Sequence, residues 1–271
     1  MLNFPPRRLV CLSEETVETI YLLGEEQKIV GVTGYAVRPS IVRKEKPRVS
    51  SFMSANIEKI KRLRPDLVLT FSDVQAKLSR ELISEGFNVI AFNQRNVAEI
   101  FAMIETLGAI LQCSEKATEL VKRLKKKITK TKLSLKLPKP RVYFEEWNEP
   151  LITGVSWVSE VIELGGGLDV FKSKSKSSKA EGRVVSSQEV IEADPDIIIA
   201  SWCGKKVNFD LIKQRAGWGT LAAVTSQNIF EIKSPIILQP GPAVISDGLS
   251  AVSHIISGWH NSVTNQQFFG K

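Results

Sequence analysis

Residues able to do chemistry gather in this chain directly after short apolar runs. Tyr35 follows the run Lys28–Thr33, and Ser72 and Asp73 follow Leu67–Phe71. Asn93, Gln94 and Arg95 follow Asn88–Phe92, while Glu145, Glu146 and Trp147 follow Arg141–Phe144. Trp202, Cys203, Gly204 and Lys205 follow Asp196–Ser201, and Phe52 lies in the connection beyond the second run. If the runs are parallel strands, these are the carboxyl ends at which α/β sheets bind ligands. Aromatic faces mixed with amides and carboxylates suit a large, partly flat ligand with a polar rim. The candidate ligand-binding set is therefore Tyr35, Phe52, Ser72, Asn93, Arg95, Glu145, Trp147, Trp202 and Cys203. The indole faces of Trp147 and Trp202 are expected to wall one side of the site and Tyr35 and Phe52 the other.

Other chemistries draw on the same residues. A cytosolic hydrolase would use Cys203 as nucleophile and Glu145 as acid or base, with Glu146 and His254 as further candidates. Glu145 and Glu146 alternate faces if the strand continues through them, so at most one points into a cleft. A small cleft-lining thiol and a helix-surface histidine are the simpler readings, so no enzyme activity and no catalytic residue are assigned. With only His254 and His260, and with Cys11, Cys113 and Cys203 scattered, neither a metal site nor a disulfide framework is expected. Gly165, Gly166 and Gly167 lack the flanking pattern of a phosphate loop and read as a helix cap and tight turn.

The elements that must position these residues alternate as strand and helix. A first strand, Arg8–Leu12, leads through Ser13 into a helix to Leu23 closed by Gly24. Ala36–Ser51 reads as a polar connection. Asn56 caps a helix to Leu63, a helix from Val74 ends before Gly86, and Asn96 caps another to Leu107. Further on, Trp157–Leu164 reads as a helix and Ser187 as the cap of another to Ala193, with Lys172–Gly182 as a mobile Ser/Lys-rich loop and Asn228–Ile232 as a last strand. Ser234–Pro242 reads as a proline-broken connection before a final helix, Ala243–Ser257. This βα alternation implies parallel sheets with helices on both faces.

Between the halves, Ser114–Leu137 reads as one helix with an apolar stripe of Leu120, Val121, Leu124 and Ile128. The chain looks alike on either side of it. Leu63–Thr70 (LRPDLVLT) and Ala193–Ala200 (ADPDIIIA) share a Pro-Asp turn before an apolar run, and Arg8–Leu12 and Arg141–Glu145 each read as a first strand. The inferred fold class is α/β, two Rossmann-like α/β lobes joined by a single long helix. The domains are 1–112, a linking helix at 113–137, and 138–271.

Of the 271 residues, 37 are Lys or Arg against 29 Asp or Glu, and no acid falls between Lys122 and Arg141. Without interleaved aromatics this basic stretch reads as a solvated helix face, and no nucleic-acid partner is expected. No window is apolar enough for a membrane span. Met1–Arg8 has no apolar core of a secretory signal, which implies the cytoplasm as encoded, or the periplasm if the N-terminus has been trimmed. A monomer is expected.

Several runs carry a resemblance. Asn56–Ile60 (NIEKI), Pro65–Leu69 (PDLVL), Phe92–Arg95 (FNQR), Tyr143–Trp147 (YFEEW), Ser201–Gly204 (SWCG), Lys233–Pro235 (KSP) and Gln239–Pro242 (QPGP) resemble the helical-backbone class of ABC-transporter substrate-binding proteins, within it the cobalamin-binding branch. The resemblance implies a corrinoid such as cobalamin held between the lobes, no covalent cofactor, and ABC-type uptake or intracellular corrinoid handling. Tyr35 and Phe52 match aromatics that contact the corrin in that family. It also implies an ABC permease partner, although Val74–Lys77 and Ile236–Gln239 carry no counterparts of the family's docking glutamates. A haem or ferric-siderophore binder is the same-fold alternative, with Tyr35 and Tyr143 as axial candidates for haem and Arg38 and Arg95 as candidates for a siderophore.

Overall fold

The computed structural model of the chain describes residues 4–134 and 137–269. It divides into two α/β units. Residues 1–124 with 239–242 form one and residues 125–238 with 243–271 the other, so the division falls inside the long helix.

The first unit runs β1 (Leu9–Cys11), α1 (Glu14–Leu22), β2 (Ile29–Thr33), α2 (Val42–Glu45), β3 (Arg48–Ser50), α3 (Ile57–Leu63), β4 (Leu67–Phe71), α4 (Ala76–Ser84), β5 (Val89–Phe92) and α5 (Val97–Ile110). Its five strands are ordered β3-β2-β1-β4-β5 and every pair is parallel. β1 and β4 are fully apolar or small and buried on both faces, as central parallel strands must be. Val10, Leu12, Ile60, Val68, Leu78 and Leu82 pack together beneath them. Asn56 and Asn96 cap α3 and α5 by accepting from Lys59 N and Glu99 N, each at 2.8 Å. The expected polar connection at 36–51 instead contains α2 and β3. β3 is three residues with one buried side chain, too short to show a period, and it exists because its backbone pairs with β2.

α6 (Ser114–Leu133) carries the chain into the second unit. It buries Leu120, Val121 and Leu124 and leaves Lys122, Arg123, Lys125, Lys126, Lys130 and Lys132 exposed. It ends four residues before the expected Leu137; Leu135 and Lys136 lie outside the described residues, and Leu137 and Pro138 form a bend.

The second unit runs β6 (Arg141–Asn148), β7 (Leu151–Thr153), α7 (Ser156–Leu164), β8 (Leu168–Asp169), α8 (Lys172–Ser175), α9 (Ser187–Ala193), β9 (Ile197–Ala200), α10 (Phe209–Lys213), α11 (Ala222–Thr225), β10 (Ile229–Glu231), α12 (Ser234–Ile237) and α13 (Leu249–Phe269). α13 is preceded by a π-helical turn, Val244–Gly248. The sheet is mixed: β10-β9-β6 is parallel, but β7 is antiparallel to β6. Glu149 and Pro150 are too short a link for a parallel crossover. Consequently Glu145, Glu146 and Trp147 lie within β6 rather than after it. The segment expected to be a mobile loop is also built in. Ser175 is buried, Lys172 pairs with Glu163 at 2.7 Å, Lys174 with Glu189 at 2.8 Å, and a 3₁₀ turn spans Ala180–Arg183. Ser186, rather than Ser187, caps α9 in a capping box with Glu189.

The Pro-Asp repeat has one physical basis in both units. α3 and α9 each end in a left-handed residue, Arg64 (φ 46°) and Asp194 (φ 35°), and the following proline prevents continuation. The aspartate then pins the first strand. Asp66 Oδ2 accepts from Arg7 N (2.7 Å) and Arg8 N (3.0 Å), and Asp196 Oδ2 accepts from Arg141 N (2.7 Å). Each returns its own amide, Asp66 N to Arg8 O at 2.8 Å and Asp196 N to Arg141 O at 2.9 Å.

Candidate functional site

At the carboxyl edge of the first sheet, Tyr35 and Phe52 meet edge to face, with ring centroids 6.3 Å apart and planes at 87°. They are 47% and 41% exposed, and Met53 beside them is more open still. Gln75, which sequence reasoning passed over, holds this edge together. Its Nε2 donates to Leu12 O (2.9 Å) and Phe52 O (2.7 Å), and its Oε1 accepts from Phe71 N (2.9 Å). Nothing in local sequence marks a glutamine at a helix start as the clasp of three strand ends.

The other first-unit candidates divide between turn and groove. Ser72 is buried, with φ at 56°, its Oγ accepting from Val74 N and its own amide donating to Phe92 O. With Asn93 it lines a shallow groove along α4 that also takes in Asp73, Ser79 and Arg80. Arg95 is ion-paired to Asp73 and its guanidinium lies 5.6 Å from the Phe71 ring centroid. Partial burial raises the Asp73 carboxyl, but Arg95 outweighs it and holds the group below the usual carboxylate range. Arg38 is likewise paired, to Glu18 at 2.9 Å. Gln94 is buried and donates to Pro240 O at 2.9 Å.

At the second sheet the expected tryptophan wall is mostly core. Trp202 is 4% exposed and packs in a cluster with Tyr143, Phe171, Ile212 and Trp218. Its indole N–H donates to Glu145 Oε1 at 3.0 Å. Glu145 itself is 0% exposed and gripped by Arg215, at 2.5 Å to Oε2 and 3.0 Å to Oε1. On the opposite face Glu146 is gripped by Arg183 at 2.5 and 3.0 Å, and Arg183 also donates to Thr153 O at 2.6 Å. Burial raises the Glu146 carboxyl against the pull of Arg183. Both glutamates are therefore spent on structure, and Glu145 is not free to act as acid or base for Cys203. Cys203 is exposed and in no disulfide, and His254 is exposed on α13. Tyr143 is fully buried between Phe171 and Trp218, which removes it as an axial ligand. Trp147 is half-buried, its N–H donating to Glu149 O at 2.9 Å. Lys205 Nζ lies 4.1 Å from the Trp147 ring centroid, 4.9 Å from that of Trp202, and 2.5 Å from Asn148 Oδ1. Among the described residues no cluster of His, Cys, Asp and Glu is placed to hold a metal ion.

The profile of the periplasmic binding protein family matches residues 9–236. The chain belongs to that family. It is 27% identical over 249 residues to an uncharacterized ABC transporter substrate-binding lipoprotein of Bacillus subtilis (strain 168), covering 89% of this chain and 77% of the relative. It is 26% identical over 247 residues to the vitamin B12-binding protein of Vibrio cholerae serotype O1, covering 89% and 86%. Among solved structures, a possible iron-binding (periplasmic solute-binding) protein of Staphylococcus epidermidis ATCC 12228 superposes with a TM-score of 0.79 at 25% identity, covering 93% of this chain and 99% of that one. The two-lobed α/β fold is that of these binding proteins, and the chain is a substrate-binding protein of the ABC-transport type. Among the described residues no helix is long and apolar enough to cross a membrane.

Proposed function

We propose that the protein binds a corrinoid, cobalamin or a close relative, and delivers it to an ABC permease. The observation that carries this reading is the Tyr35–Phe52 pair: two aromatic side chains left largely in water at the carboxyl edge of a parallel sheet, on a backbone clasped by Gln75. An exposed apolar patch at that edge is where a flat macrocycle would be covered. The vitamin B12-binding relative supports the same ligand class. Of the same-fold alternatives, the siderophore reading loses Arg38 and Arg95, which already hold carboxylates, and the haem reading loses Tyr143, sealed in the core, and keeps Tyr35.

Absorbance titration of the purified protein with cyanocobalamin, beside haemin and a ferric hydroxamate, tests the reading. Saturable binding of the corrinoid alone is expected. Phe52→Ala and Tyr35→Ala should each weaken it roughly ten- to hundredfold, about 1 to 3 kcal/mol of lost apolar contact. Saturation by haemin with no response to the corrinoid would overturn the assignment.

A further inference from the structure

We infer that Lys205, at the carboxyl edge of the second sheet, is an anion-recognising residue, placed to pair with the phosphodiester of a cobalamin nucleotide loop; this rests on the corrinoid reading above. Four arginines near the two sheet edges are neutralised within the protein. Arg38 holds Glu18, Arg95 holds Asp73, Arg183 holds Glu146 and Arg215 holds Glu145. Lys205 differs. It is exposed, and among the described residues no carboxylate pairs with it. Its ammonium is nevertheless fixed in place, over the Trp147 ring at 4.1 Å, near the Trp202 ring at 4.9 Å, and donating to Asn148 Oδ1 at 2.5 Å.

A surface lysine ordinarily leaves its flexible stem disordered and its charge hydrated. Here two indole faces attract the cation and set its position. Trp202 is itself locked by Glu145 and Arg215, so one wall of the lysine's seat is rigid. An ammonium has three donors and Asn148 uses one, which leaves two donors and an uncompensated charge. The periphery of a corrin ring carries neutral amides, and the anionic group of cobalamin is the phosphodiester joining ring and nucleotide. Cobinamide lacks that group. A pre-oriented ammonium should therefore separate these two ligands, because a charge-assisted hydrogen bond is made with one and not the other.

The experiment compares cyanocobalamin with dicyanocobinamide on the wild type, Lys205→Met, Lys205→Arg and Lys206→Ala. Methionine keeps the stem over the indoles while removing the charge, arginine restores it, and Lys206→Ala controls for general electrostatics from the exposed neighbour. Lys205→Met should weaken cyanocobalamin about tenfold or more and change dicyanocobinamide less than about twofold. Lys205→Arg should recover part of the loss, and Lys206→Ala should alter neither ligand. Equal loss for both corrinoids, or loss for neither, overturns the assignment while the corrinoid reading stands. If the wild type binds neither corrinoid, both fall together.

Discussion

The two sheet edges are made by the same βα construction and used differently. In the first unit the edge presents Tyr35 and Phe52 to solvent and neutralises its arginines. In the second, Trp202 and Glu145 are drawn inside by Arg215, and Lys205 has no carboxylate partner among the described residues. The buried carboxylates differ in the same way. Glu145 and Glu146 each hold a guanidinium through two hydrogen bonds, whereas among the described residues Glu15, 1% exposed, has its Oε1 unpartnered and Glu14 has Gln239 as its one side-chain donor, at 2.9 Å. An arginine that reaches the carboxylate anchors it, though burial still raises Glu146; at Glu14 and Glu15, which no arginine grips among the described residues, burial pushes the carboxyls up to about 8 and about 7.

The largest test of this contrast is Arg215→Ala. It leaves the Glu145 side chain buried without its guanidinium partner, so denaturant unfolding should show a loss of about 3 to 5 kcal/mol. Trp202→Ala should cost a similar amount, about 3 to 5 kcal/mol, as a core tryptophan does. Phe52→Ala should cost less than about 1 kcal/mol of stability, since its ring is already wet. A Trp202→Ala protein of normal stability and weakened ligand affinity would erase the difference between the edges.

Acidity sharpens it further. Burial, then the neighbouring Glu15 and Glu18, push Glu14 up to about 8, and burial pushes Glu15 up to about 7 despite its hydrogen bonds. The folded chain thus keeps protons that the unfolded chain releases above about pH 4.5. Stability should fall as pH rises from there to about 8, by at most about 1.4 kcal/mol per pH unit for each group. Urea midpoints at pH 5, 6.5 and 8 should decline, and Glu15→Gln should flatten the decline. A midpoint that climbs over this range would show that the charged form is the one the fold prefers.

A further test concerns what the units share. Asp66→Ala removes the acceptor for two backbone amides and Asp196→Ala for one. Both should destabilise, roughly 1 to 3 kcal/mol for Asp66 and less for Asp196. Equal losses would mean that the second amide, on Arg7, contributes nothing.

Much of the architecture was legible because it is written in local chemistry. Apolar runs too short for helices, asparagine caps and the repeated Pro-Asp turn locate β1, β4, α3, α5 and β9 to within a residue or a few. The misreadings share one cause. β3 is a strand only because β2 lends it hydrogen bonds, β6 runs on through Trp147 because β7 folds back on it, and the Lys172–Gly182 segment is held by ion pairs to Glu163 and Glu189.

The sequence by itself determined the two α/β units, the family resemblance and which residues stand near strand ends, since these depend on periodicity and on turn residues acting over a few positions. Only the tertiary structure decided what those residues do. Arg215 lies 70 positions from Glu145 and Arg183 lies 37 from Glu146, and neither spacing is a pattern. That pairing chooses which side chains are buried and neutral in sum, as with Trp202 above Glu145, and which stay exposed, as with Tyr35, Phe52 and Lys205. A charge in a protein takes its role from its partner, and partners are brought together by the fold.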